Sequence, residues 1–80
     1  MNQAELNTYK NEMIELAIAE LDKAIAYRSE IGKTGFFGSV VTADSVIDYI
    51  HRSTMQLKIY LRRSDDDWQV VHADALSEVY

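Results

Sequence analysis

Two histidines are the first residues to weigh for chemistry. His51 lies three positions after Asp48, and His72 lies two before Asp74. A carboxylate beside an imidazole orients the ring and raises its basicity, as a general acid–base step requires. A small enzyme using His51 or His72 is therefore one reading of the chain, and the third in rank. Little else supports it. The chain has no cysteine, and none of its serines stands in a strained GxSxG elbow. The two histidines do not fall at the HxxxH spacing that would give a metal two ligands on one helix face. No catalytic residue, metal ligand or cofactor is assigned, and the expectation is a protein that is not an enzyme.

Gly32-Lys33-Thr34-Gly35 is the next candidate. Its first three residues match the end of a phosphate-binding Walker A loop, but that motif needs a glycine where Tyr27 stands. The four residues also spell the GxxG that clamps backbone phosphates in KH domains, where a second helix follows directly. Here Phe36-Phe37-Gly38-Ser39-Val40-Val41 follows, which has strand character. The simpler reading is a glycine that stops a helix, followed by a turn.

Charge carries more information. Thirteen acids against eight bases give −5 overall. Divided along the chain, residues 1–30 carry −3, residues 31–63 carry +3 and residues 64–80 carry −5. Two functions follow from that layout. In the preferred one, Glu12, Glu15, Asp22, Asp65, Asp66 and Asp67, with Tyr60, contact a larger protein through its basic surface. The protein would then be a small acidic non-catalytic interaction module. That profile resembles the inhibitors that phages and mobile elements direct against nucleic-acid-binding proteins. In the alternative, the central segment 31–63 binds nucleic acid, with Lys33, Lys58, Arg62 and Arg63 on phosphates and Tyr60 stacking on a base. The net charge argues against direct nucleic-acid binding.

The elements that must position these residues come from periodicity. The whole chain is 80 residues, 48% hydrophobic, with three Gly and no Pro. That composition suits one folded domain and excludes a disulfide scaffold, a cysteine zinc finger and a disordered tail. The N-terminus has no basic, apolar leader and no stretch is apolar enough to span a membrane. A cytoplasmic protein without membrane association is expected.

Residues 3–31 read as one helix. The segment lacks Gly and Pro, Asn2 with Glu5 suits the N-terminus, and Gly32 suits the stop. Leu6, Met13, Ala17, Leu21, Ala24 and Ile31 share a face, flanked by Ile14 and Ile25 on one side and by Tyr9, Leu16 and Tyr27 on the other. Such a helix would be about 43 Å long, against about 30 Å for the diameter of a compact globule of this size. A homodimer or a hetero-complex through this N-terminal helix is therefore expected.

Beyond the loop the propensities favour strands, placed at 36–42, 46–52, 55–62 and 68–73. Met55, Leu57, Ile59 and Leu61 alternate with Gln56, Lys58, Tyr60 and Arg62, and Ser64-Asp65-Asp66-Asp67 reads as the turn to the last strand. The segment 44–53 fits a helix as well, with Ala43, Val46, Ile47 and Ile50 on one face, but strand is preferred. The stretch Leu57-Lys58-Ile59-Tyr60-Leu61-Arg62-Arg63 with Asp65-Asp66-Asp67-Trp68-Gln69-Val70-Val71-His72 resembles the closing hairpin of the cone fold of nuclear-transport-factor-2-like proteins. That resemblance implies an antiparallel pair and no site.

The expected architecture is thus α+β: a helix at 3–31 packed on a three- to four-stranded antiparallel meander over 36–73, with an acidic tail at 74–80. The expected core adds Phe37, Val41, Ile47, Leu57, Ile59, Leu61, Trp68 and Val70 to the helix face.

Overall fold

The computed structural model describes residues 2–35 and 38–79, with backbone only for Glu78 and Val79. Among the described residues there are three α-helices: α1 at Gln3–Ala26, α2 at Ala43–Arg62 and α3 at Asp65–Val79. A single 3-10 turn, Tyr27–Glu30, extends α1. Of the helix expected at 3–31, the α-helical part ends at Ala26 and the 3-10 turn at Glu30.

Among the described residues the expected sheet is not found, and strand pairing amounts to one isolated antiparallel bridge between Thr34 and Val40. The strands placed at 46–52 and 55–62 are consecutive parts of α2, and 68–73 lies in α3. Phe36 and Phe37, in the first strand, lie outside the described residues. The α+β architecture with an antiparallel sheet, and the hairpin implied by the cone-fold resemblance, are both replaced by helices. Residues 74–79, expected as a tail, continue α3.

The cause is local. A hairpin between 46–52 and 55–62 needs turn residues that accept a positive φ, and Ser53-Thr54 are poor ones. Among the described residues only Gly32 and Gly38 have positive φ. A helix, by contrast, has its start encoded just upstream. Thr42 Oγ1 accepts from the Ser45 N–H at 3.1 Å, and Ser45 Oγ accepts from the Thr42 N–H at 3.3 Å. This reciprocal box satisfies two backbone donors and fixes the first turn. No Gly or Pro interrupts the chain from there to Arg63. The strand-forming side chains at 46–50 are therefore absorbed into a helix, because β propensity expresses packing context more than backbone preference.

The acidic turn has a similar explanation. Ser64 Oγ accepts from the Asp67 N–H at 3.2 Å, so Ser64 caps α3. Asp65, Asp66 and Asp67 occupy the first turn of that helix. Negative charge is favoured there by the partial positive charge of the free N–H groups.

α1 and α2 form an antiparallel hairpin. At one end Tyr9, near the start of α1, and Tyr60, near the end of α2, both meet Trp68, with ring centroids 5.8 and 5.3 Å away. At the other end Tyr27 meets Tyr49 at 6.0 Å. The connection is a short looped ribbon. Gly32 N–H donates to Val41 O at 2.8 Å and Val41 N–H to Lys33 O at 2.9 Å, which seats Val41 in the core.

The core is small. Leu6, Ala17, Ala24, Val41, Val46, Ser53 and Trp68 are buried. Of the other expected core residues, Met13, Leu21 and Leu57 are half-buried, while Ile31, Ile47, Ile59, Leu61 and Val70 are exposed. The radius of gyration is 16.3 Å, against about 12 Å for a compact chain of this length. The described residues extend over 48 × 27 × 15 Å. Two helices side by side leave two open faces, and one short third helix cannot cover both.

Candidate functional site

Helical geometry assigns each side chain to a face of the hairpin. At about 100° per residue, Tyr9 and Glu20 fall on one side of the buried stripe of α1, and Ile14, Ile18 and Ile25 on the other. In α2, Tyr49 and Gln56 fall on one side of Val46 and Ser53, and Ile47, Thr54 and Leu61 on the other. The Tyr49 hydroxyl donates to Glu20, so the two polar sides coincide. In an antiparallel pair the two aliphatic sides must then coincide as well.

The polar side is closed at one end by α3. Trp68 is fully buried there, and His72 meets Tyr9 edge-on at 4.6 Å. Lys10 Nζ holds Asp65 Oδ1 at 2.7 Å and pins the start of α3 to α1. The hydrogen bond from Lys10, then that from Gln3, hold the Asp65 carboxyl below the usual carboxylate range. On the same side, the hydrogen bond to Glu20 raises the Tyr49 phenol above its ordinary value.

The aliphatic side carries no such cover. Ile18 is 44% exposed, Ile47 62% and Leu61 62%, and Ile25 is exposed beside them. Ile14, Leu21, Ile50 and Leu57 are half-buried between the helices and complete a continuous apolar face. Isolated exposed apolar residues are ordinary, but a contiguous set rimmed by charge marks an interaction surface.

The edges of this face differ in sign. Glu15 and Asp22 border it on α1, with Glu12 further out; Lys58 borders it on α2, with His51 and Arg62 beyond and Asp44 at the start of the helix. Lys58, Arg62 and Arg63 also surround an open groove of about 410 Å³ floored by Met55 and Ile59, with Asp67 at its rim.

The other sequence candidates are dispersed. Asp48 pairs with Arg52 at 3.0 Å rather than with His51. His51 stands exposed on α2, whereas His72 is half-buried on α3. Among the described residues no three His, Asp or Glu side chains gather into a metal-binding group. In Gly32-Lys33-Thr34-Gly35, the N–H groups of Gly32, Lys33 and Gly35 donate to Val41, Glu30 and Ser39 carbonyls. Those three donors are spent within the chain. Lys33 sits beside Glu30 at the loop end of the hairpin, far from Lys58, Arg62 and Arg63.

Tyr60 is half-buried under the Arg63 guanidinium, which lies 5.2 Å from its ring and 4.7 Å from that of Trp68. It builds the α3 junction. Asp65 is engaged in the Lys10 pair, while Glu12, Glu15, Asp22, Asp66 and Asp67 remain exposed. Sequence reasoning noted Ile14 and Ile25 as flanking residues and missed their continuation into Ile18 and α2. The signal was present as the spacing Ile47, Ile50, Thr54, Leu57, Leu61, hidden by the strand reading.

The chain matches no protein-family model, and no curated protein or solved structure shows significant similarity to it. No helix is long and apolar enough to cross a membrane among the described residues.

Proposed function

We propose that this chain is a non-catalytic protein-interaction module whose working surface is the aliphatic face of the α1–α2 hairpin. The observation that carries the reading is the continuity of that face across two helices, from Ile14 to Ile25 and from Ile47 to Leu61, where Ile18, Ile25, Ile47 and Leu61 stay exposed. Full burial of an aliphatic side chain is worth roughly 1.5–3 kcal/mol, and these side chains, about half covered already, forgo a part of it by staying in water.

Glu12, Glu15 and Asp22 lie at or beyond one edge of the face and supply the acidic contacts to a basic partner surface. Asp65, Asp66 and Asp67 serve first as the N-terminal turn of α3. In this reading they contribute less to binding than the α1 acids. The apolar face supplies the affinity and the charged edge supplies register and selectivity, as is usual where charge surrounds a desolvated centre.

Site-specific photo-crosslinking in cells tests this. A benzoyl-phenylalanine in place of Leu61, on the face, should yield discrete protein adducts. The same group in place of Asp74, on the exposed side of α3, should yield none. Equal labelling from both positions, or none from Leu61, would refute it.

A further inference from the structure

We infer that the occupant of the aliphatic face is a second copy of this chain, the two hairpins stacking into a four-helix bundle with α1 of each over α2 of the other. This inference rests on the reading of that face as an interaction surface.

Three observations converge on it. The first is spacing. Ile14, Ile18, Leu21 and Ile25 recur at intervals of four, three and four, and Ile47, Ile50, Thr54, Leu57 and Leu61 at three, four, three and four. Both are the alternation by which helices interdigitate along a bundle seam, so each helix is fitted to pack against the other's stripe.

The second is area. The α2 stripe from Ala43 to Leu61 runs about 27 Å, and two helices side by side span roughly 22 Å. That footprint of about 600 Å² in projection, larger once side-chain relief is counted, approaches the ~800 Å² per partner of a standard stable interface.

The third is charge. A two-fold axis parallel to the helices puts the acidic edge of α1 beside the basic edge of α2 from the other copy. Within one hairpin Tyr9 and Tyr60 meet at Trp68, and Glu20 is level with Tyr49 and Ser53. At that register Glu15 falls within a turn of Lys58 of the second copy, and Asp22 within a turn of its His51. The perpendicular two-fold would instead stack α1 antiparallel on α1, setting the acidic edge of Glu15 and Asp22 against the same edge of the other copy. The face is therefore self-complementary in one arrangement and repulsive in the other. α3 crosses one end of the hairpin, starting at Lys10 and Gln3 and reaching Tyr9 through His72, and leaves Ile18, Ile47 and Leu61 exposed.

Sedimentation equilibrium of the full chain is the test, from micromolar to millimolar concentration. The expected mass is twice 9.2 kDa. Glu15→Lys should raise the dimer dissociation constant by about tenfold, since symmetry counts each edge contact twice. Adding Lys58→Glu to the same chain should restore it. Because the chain lacks cysteine, Asp22→Cys with His51→Cys offers a second readout under mild oxidation. Covalent dimers from the double variant and not from Asp22→Cys alone support the arrangement. A native mass of 9.2 kDa throughout would overturn the inference. So would covalent dimers from Asp22→Cys alone. A monomer that still gives heterologous adducts from position 61 would overturn self-pairing while leaving the interaction-module reading standing.

Discussion

Trp68 is where the three helices meet, and replacing it separates two contributions that its burial combines. Its side chain is fully buried, as is that of Leu6. Tyr9 and Tyr60 pack against the indole, and Arg63 caps it at 4.7 Å. Trp68→Ala removes all of these contacts and leaves a cavity, a change that costs about 3–5 kcal/mol in buried cores. A domain this small, lacking disulfide or metal, has a total stability of about 3–5 kcal/mol. The Ala variant should therefore lose α3 docking or unfold at 25 °C. Trp68→Phe should behave differently. The indole Nε1–H has no acceptor among the described residues. A buried unsatisfied donor costs about 1–3 kcal/mol, which its removal recovers. The lost ring area costs a comparable amount at roughly 25 cal/mol per Å². The two terms offset, and Trp68→Phe should lie within about 1 kcal/mol of the native chain. Urea denaturation followed by far-UV circular dichroism measures both. Equal destabilisation by Phe and Ala would show that the indole nitrogen makes a stabilising hydrogen bond and that the junction is organised differently.

Three further outcomes follow from the same structure. Thr42→Ala removes the box that starts α2 and should cost about 1 kcal/mol, lowering the melting temperature by about 4–8 °C. Gly32 has a φ of +88° with nothing near its absent Cβ, so Gly32→Ala should destabilise by about 1–2 kcal/mol through backbone strain alone, measured by the same urea titration. Asp65 has its carboxyl pKa held below the ordinary value by Lys10 and Gln3. Its contribution is present above that ordinary value and is lost as pH falls through the lowered one. Asp65→Asn should therefore reduce stability at pH 7 and flatten its decline toward acid; an unchanged acid limb would count against the Lys10 contact.

The first helix was legible because its signals agree. Asn2 caps it, no breaker interrupts it, and its apolar residues keep one period. The remainder was not legible because local and longer-range signals conflict. Met55, Leu57, Ile59 and Leu61 alternate as a strand would, yet only Leu57 of the four is even half-buried. The decisive information lay outside that window, in the Thr42–Ser45 box and in the absence of a turn-forming pair at 53–54. Ser64 with three aspartates was ambiguous in kind, since a turn and a capped helix start use the same residues. The site shared that fate. Its α1 half could be read from Ile14 and Ile25, but its α2 half depends on a helical period that the strand reading erased. Tyr60 was singled out for standing between cations; the structure uses it beneath one, at the Trp68 junction.

The most direct measurement of the face itself is methyl NMR with a soluble paramagnetic agent across a concentration series. Ile18, Ile25 and Ile47 lie on the face, and Ile59, 47% exposed, lies off it on the outer side of α2. All four should broaden at micromolar concentration. As the concentration rises, the three face methyls should become protected while Ile59 continues to broaden. Uniform broadening of all four at every concentration would contradict an aliphatic face built to be covered by a second copy.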